Sequence, residues 1–172
     1  MEENKGLLGE QQPYWETNFS NRVEMFGESP SEAAIKAAEI FEKQGIKTIL
    51  ELGGGQGRDT LYFAQKGFKV YVLDYTHSGI EAIKKKAKKL GLFNSVEALQ
   101  HDVRNPLSFE DDMIEGCYSH MLFCMAFTSE EITFLAQEVK RVLKPNGLKI
   151  YSVRNLNDPH YGTGIHRGGK KV

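Results

Sequence analysis

Two cysteines, one tryptophan and five prolines are all this 172-residue chain holds of the residues that cross-link, anchor or kink a fold. Cys117 and Cys124 lie seven residues apart in one apolar stretch. In a strand, that odd spacing sends them to opposite faces, so no disulfide is expected between them. Unpaired thiols suit a reducing cytoplasm, and the opening MEENKGLLGEQQ lacks the basic-then-apolar pattern of a secretory leader. No apolar run is long enough to span a membrane. Charge of either sign is not in excess either, since the net charge is −1, which offers a nucleic acid no basic surface. Metal-ligand clusters are missing, and His160 and His166 sit alone in a glycine-rich tail, so no metal is expected.

What is present is ordinary globular composition, 40% hydrophobic and 26% charged, in a length that fits one domain. From Ser31 onward helical and strand patterns alternate. Ala34, Ile35, Ala38, Ile40 and Phe41 mark a helix that Gly45 stops. Strands are expected at 46–52, 68–73, 96–100, 116–123 and 148–153. The intervening helices are expected at 58–66, 78–90 (opened by a Ser78-x-x-Glu81 capping box) and from a second box, Thr128-x-x-Glu131, to about Leu143. Lys144-Pro145-Asn146-Gly147 reads as a turn. The five lysines between Lys84 and Lys89 surround a single apolar stripe of Ile80, Ile83, Ala87 and Leu90, the pattern of a solvated helix. Such alternation predicts a doubly wound α/β sheet.

One stretch carries chemistry: Ile49 to Thr60, ILELGGGQGRDT. Glu51, Gly53, Gly55 and Gly57 alternate at the end of the first strand, just before a helix. This is where an α/β sheet seats a ligand, against bare backbone and the free N–H groups of a helix start. A dinucleotide fingerprint counted from Gly53 needs glycine where Arg58 stands, and a phosphate-binding loop needs a Gly-Lys-Ser/Thr that is absent. Twenty residues on, Asp74-Tyr75 ends the second strand, in the place of an acid that accepts from both ribose hydroxyls. That acid fits NAD and S-adenosylmethionine equally.

The pattern Glu-x-Gly-x-Gly-x-Gly resembles the first motif of the class I S-adenosylmethionine-dependent methyltransferases. GRDTLYFAQKGFKVYVLD and RVLKPNGLKIYSV are similar to that family too, with the nearest flavour among small-molecule members such as the tellurite-resistance methyltransferases. The likeness covers roughly residues 13–154. It implies that Glu51, Gly53, Gly54, Gly55 and Gly57 pass under the methionine and ribose of S-adenosylmethionine. It further implies that Asp74 holds the ribose, Tyr75 lies along the adenine, and Asp102 and Val103 meet the adenine edge. Ser119 and His120 then fall beside the transferred methyl. Relatives often carry Asp or Asn near His120, so two roles stay open for it: a general base, or a hydrogen-bonded wall of the pocket.

The resemblance implies methyl transfer to a small-molecule nucleophile. Two alternatives stand beside that: an inactive cofactor-binding or partner subunit, and an NAD-binding oxidoreductase. Three regions are expected: an N-terminal segment or lid (residues 1–30), a cofactor domain (31–154) and a glycine-rich tail (155–172). The first dozen residues are expected to be loose, and Tyr14, Trp15, Phe19 and Phe26 either pack on the domain edge or cover the methyl end. Arg58 and Asp59 are expected to cap and solvate their helix. After Arg154 little remains that could form the further strands of the family. The fifth strand is therefore expected to be an exposed edge in a sheet lacking its C-terminal strands, and to promote self-association. Beyond it, His160, Tyr161 and His166 would be within reach of an acceptor.

Overall fold

The computed structural model describes residues 6–159; the expectation for His160, Tyr161 and His166 lies outside them. The elements follow as α1 (Gly6–Asn21), α2 (Glu32–Lys43), β1 (Thr48–Leu52), α3 (Arg58–Gln65), β2 (Lys69–Asp74), α4 (His77–Lys89), β3 (Val96–Gln100), β4 (Ile114–His120), a 3-10 turn (Leu122–Cys124), α5 (Ser129–Val142) and β5 (Leu143–Ser152). All four strand pairings are parallel, in the order β3-β2-β1-β4-β5. The chain winds outward from β1 to β3 and returns to lay β4 on the other side of β1. The winding direction reverses between β1 and β4, and a doubly wound sheet opens its crevice at such a point.

Both faces of the sheet are covered, which is why its central strands read as continuous apolar runs. Ile49, Val70 and Val72 pack with Phe41, Phe63 and Ile83 from α2, α3 and α4. Leu50, Leu52 and Leu73 pack on the opposite face with Leu135, Val139 and Val142 of α5. Phe63 meets Tyr118 edge-on, with ring centroids 4.9 Å apart. Full burial of each such side chain contributes roughly 1.5–3 kcal/mol.

Local signals placed most helix ends. Ser31 caps α2 by accepting from Ala34 N–H, and Thr128 with Glu131 forms the expected capping box of α5. Gly45 and Gly67 follow their helices at positive φ, as helix-stopping glycines do.

Five expectations give way. On α2 the buried stripe is Ala34, Ala37, Ala38 and Phe41, while Ile35 and Ile40 are exposed, because only the first set keeps to one helical face. On α5, Ile132 and Ala136 lie on the exposed side. The Lys144–Gly147 turn is instead a bulge within β5: Ile114 pairs with Leu143 and Gly116 with Leu148, so the residues between loop out, with Asn146 at φ 66°. Cys124 lies in the 3-10 turn and not in a strand; it and Cys117 are both free. The residues before Pro13, expected to be loose, form the first turns of α1 from Gly6 on, with Leu8 buried.

Among the described residues no helix is long and apolar enough to cross a membrane. Nor does any described strand pair with the outer side of β5, the edge on which the expected self-association rests.

Candidate functional site

A cavity of about 300 Å³ opens at the carboxyl ends of β1, β2 and β4. Its floor is the glycine-rich loop: Glu51, Gly53, Gly54 and Gly55 all line it. Gly55 sits at φ +54°, and a Cβ there would come within 3.3 Å of the Phe19 ring. Few side chains adopt that conformation, so bare backbone faces the cavity for a structural reason.

Asp74 shapes this loop. Its Oδ2 accepts from Gly55 N–H at 2.8 Å, and its Oδ1 accepts from the backbone N–H and the hydroxyl of Thr76 at 2.9 and 2.6 Å. Burial pushes its pKa up, opposed by the bonds from Thr76 and Gly55. Asp74 and Tyr75 line the cavity, as do Asp102 and Val103 after β3. Arg104 grips the Asp102 carboxylate with both Nε and Nη2. Burial works to raise the pKa of Asp102, and the Arg104 bonds outweigh it and hold the group low.

Glu51 is buried at the end of β1 and accepts from the Thr60 hydroxyl. Burial, with the charge of Asp59 adding to it, pushes its pKa up to about 8 against that hydrogen bond. Burial thus favours the protonated carboxyl, and a cation arriving beside it favours the ionised form.

Two candidates fall outside the cavity. Ser119 is buried within β4, the Oγ has no hydrogen-bond partner among the described residues, and the neighbour that reaches the cavity is His120. Strand alternation explains the split, since adjacent residues point to opposite faces. Gly57 also lies off the cavity. It precedes α3 at φ +86°, and a Cβ there would strike Ile83 Cγ1 at 2.6 Å, so its service is to let α3 and α4 pack.

His120 is half-buried in the cavity wall with Met121 and Leu122. Its Nδ1 lies 2.7 Å from Ser152 Oγ. Burial holds the ring below its ordinary pKa, with Arg58 adding to the shift and Asp59 opposing it. Burial thus favours the neutral ring.

The N-terminal segment walls the remaining side through Trp15, Phe19 and Phe26, whose ring centroids lie 5.6–6.4 Å apart. Polar residues of α1, two of them just before its aromatics, dock the helix. Gln12 Nε2 donates to Tyr75 C=O, and Gln11 Oε1 accepts from Ala126 N–H. Glu16 accepts from the N–H groups of His77 and Ser78, each at 2.8 Å. It thereby caps α4 in place of the expected Ser78–Glu81 box, and a carboxylate at a helix N-terminus also complements the dipole. Glu81 pairs with Lys84 instead.

Sequence reasoning passed over two residues. Asp59 is buried, not solvated: it accepts from Ser31 N–H, the Ser31 hydroxyl and the Tyr118 hydroxyl, tying α3 to α2 and β4. Gln56, inside the glycine loop, spends its whole amide on the N-terminal segment. It donates to Phe19 C=O and Arg22 C=O and accepts from Met25 N–H. Arg58 adds a bond to Phe26 C=O. A glutamine among glycines was the available signal, since the loop itself has no use for a long amide. Removing the amide in Gln56→Ala forfeits three hydrogen bonds of about 1 kcal/mol each. We expect faster hydrogen exchange across residues 19–26 and a red-shifted emission from Trp15, the single tryptophan. Unchanged protection and emission would show that the segment is held by its aromatics alone.

Comparison with known proteins places this geometry. The model of the methyltransferase domain family matches residues 49–147, more than half of the chain and from β1 into the bulge of β5. Phosphoethanolamine N-methyltransferase 1 of Triticum aestivum is 32% identical over 111 residues, covering 63% of this chain and 21% of its own length. The cypemycin N-terminal methyltransferase of a Streptomyces species is 31% identical over 101 residues, covering 59% of this chain and 39% of its own. This chain thus spans well under half of those relatives. Among solved structures, an S-adenosylmethionine-dependent methyltransferase from Aquifex aeolicus superposes with a TM-score of 0.57 at 23% identity, over 76% of this chain and 68% of that one, a likeness of fold. With the glycine loop, the acid ending β2 and the acid after β3 gathered on one cavity, and the family model matching across them, the chain belongs to the methyltransferase domain family in its class I, S-adenosylmethionine-dependent form.

Proposed function

We propose that this chain binds S-adenosylmethionine across the carboxyl ends of β1, β2 and β4 and transfers its methyl group to a small-molecule nucleophile. The observation that carries the reading is the convergence on one cavity of Gly53–Gly55, Asp74-Tyr75 and Asp102-Val103, three segments far apart in sequence. The residues suit the cofactor. Gly55 offers bare backbone, Asp74 Oδ2 has a lone pair beyond the one Gly55 uses, and Glu51, whose burial favours the protonated form, can ionise beside a positive charge. When bound, the cofactor supplies an activated methyl on a positive sulfur. The chain's part is to hold donor and acceptor in line and keep water out, and the aromatic wall of Trp15, Phe19 and Phe26 serves that end as a lid.

In this reading residues 1–30 form the lid segment, 31–154 the cofactor domain and 155–172 a tail. Two free cysteines suit the cytoplasm. For the acceptor, the names of the relatives above favour amines, with thiols and heavier chalcogen oxyanions as the other classes to test.

Calorimetry tests the first half: S-adenosylhomocysteine is expected to bind and NAD is not. Binding of NAD alone would overturn the reading. Turnover of S-adenosylmethionine against a panel of amines, thiols and chalcogen oxyanions tests the second half. Binding without turnover of any of them would instead mark a cofactor-binding partner subunit.

A further inference from the structure

His120 closes β4 and Ser152 closes β5, and the two face each other in the parallel register. Ser152 Oγ has two described neighbours. Met121 N–H donates to it at 3.2 Å while also reaching Ser152 C=O at 3.1 Å, and His120 Nδ1 lies 2.7 Å away. A serine hydroxyl has one hydrogen to give. Met121 takes one of the two accepting lone pairs of the oxygen, and among the described residues Nδ1 is the one group placed to take the hydroxyl hydrogen. Met121 is held at φ 63°, a left-handed conformation that a side chain adopts at a cost, and that turn is what aims its N–H back at Ser152.

We propose that Ser152 is a positioning residue that donates to His120 Nδ1, so that the ring keeps its proton on Nε2 and presents the cavity with an N–H donor and not with a base.

This resolves the two roles left open for His120, and for the acceptor it rests on the methyltransferase reading. Among the described residues Nε2 has no partner, and His120 lines the cavity beside Arg58 and Met121. A bound acceptor with an oxygen or another lone-pair atom near the ring would take that hydrogen bond. A ring that already holds its proton on the cavity side cannot also remove one there. The acceptor must then bring its own lone pair, as a neutral amine does. The nitrogen lone pair forms the new N–C bond while the electron pair of the broken C–S bond stays on sulfur. The ammonium so formed releases its proton to water. An alcohol, which needs a base at the site, is disfavoured.

The tautomer can be read with no ligand present, so its failure is separate from failure of the methyltransferase reading. The probe is the ¹⁵N-histidine-labelled full chain in two-bond ¹H–¹⁵N correlation spectra. The five histidines are sorted by the signal lost in His120→Gln. At neutral pH the wild-type His120 is expected to show a protonated Nε2 and an unprotonated, hydrogen-bonded Nδ1. Ser152→Ala removes the donor that favours the neutral ring, so the titration midpoint of His120 should rise. Ser152→Thr, which restores a hydroxyl at the same strand position, should bring it back. The charges of Arg58 and Asp59 that also act on this ring are the same in all three proteins. A proton on Nδ1 in the wild type overturns the proposal. So does a midpoint that falls or stays in Ser152→Ala while melting and S-adenosylhomocysteine binding remain normal. Should Ser152→Ala fail to fold, the wild-type tautomer and the Ser152→Thr midpoint still decide it.

Discussion

Gly79→Ala is expected to destabilise the protein by about 1–3 kcal/mol, the usual cost of overpacking, and to weaken S-adenosylhomocysteine binding roughly tenfold or more. Helix propensity alone predicts the opposite, since alanine is better than glycine inside a helix by about 1 kcal/mol. Contact decides the sign. A Cβ on Gly79 would lie 2.6 Å from Gly55 C=O oxygen and 2.5 Å from Thr76 Oγ1. The first of these is backbone of the glycine loop and cannot swing aside as a side chain can. Either α4 backs off the loop or Gly55 is displaced from the position Asp74 holds it in. Denaturant unfolding and calorimetry check both halves. Unchanged stability and affinity would mean that the loop is soft enough to absorb a methyl group, and that its shape is not what binds the ligand.

Asp74→Ala is expected to reduce S-adenosylhomocysteine affinity by about a hundredfold, from the loss of charge-assisted hydrogen bonds worth about 1.5–3 kcal/mol each. Two effects combine. The acceptor proposed for the ribose goes, and the buried donors Gly55 N–H, Thr76 N–H and the Thr76 hydroxyl lose their partner. Asp74→Asn sharpens the test. One end of an amide is itself a donor, so its NH₂ must oppose either Gly55 N–H or the Thr76 donors. It should therefore fall close to alanine, although it is nearly isosteric with aspartate. Calorimetry on the three proteins measures this, and an asparagine variant that binds like the wild type would show that the carboxylate is not holding the loop.

The parts of this molecule that local rules govern were open to reading. Strand and helix order followed from periodicity, the Thr128–Glu131 box from a three-residue spacing, and the glycine loop from an apolar strand running into Gly53–Gly57. The α4 N-terminus was misread for the opposite reason. Ser78 and Glu81 have the spacing of a capping box, but a carboxylate 61 residues earlier in the chain, Glu16, reaches the same N–H groups and wins them. No local pattern announces that a distant helix will dock there. Gln56 and Asp59 escaped for the same cause: their partners, Phe19, Arg22, Met25, Ser31 and Tyr118, lie on other elements. Ser119 was placed at the cavity with His120 because a strand can be located in sequence before its facing is known, and a one-residue difference reverses the face.

By itself the sequence determined the class of fold and the glycine loop at the cavity, because both rest on short-range physics: periodic burial, caps, and glycines where backbone must stay bare. Only the tertiary structure decided which residues line the cavity. It turned His120 inward and Ser119 away, made Gly57 a packing residue, and brought the N-terminal segment over the cavity on the amide of Gln56 and the carboxylate of Glu16. The last of these depends on pairings across 34 and 62 residues of chain. Their geometry exists only once the sheet and its two helical layers have closed.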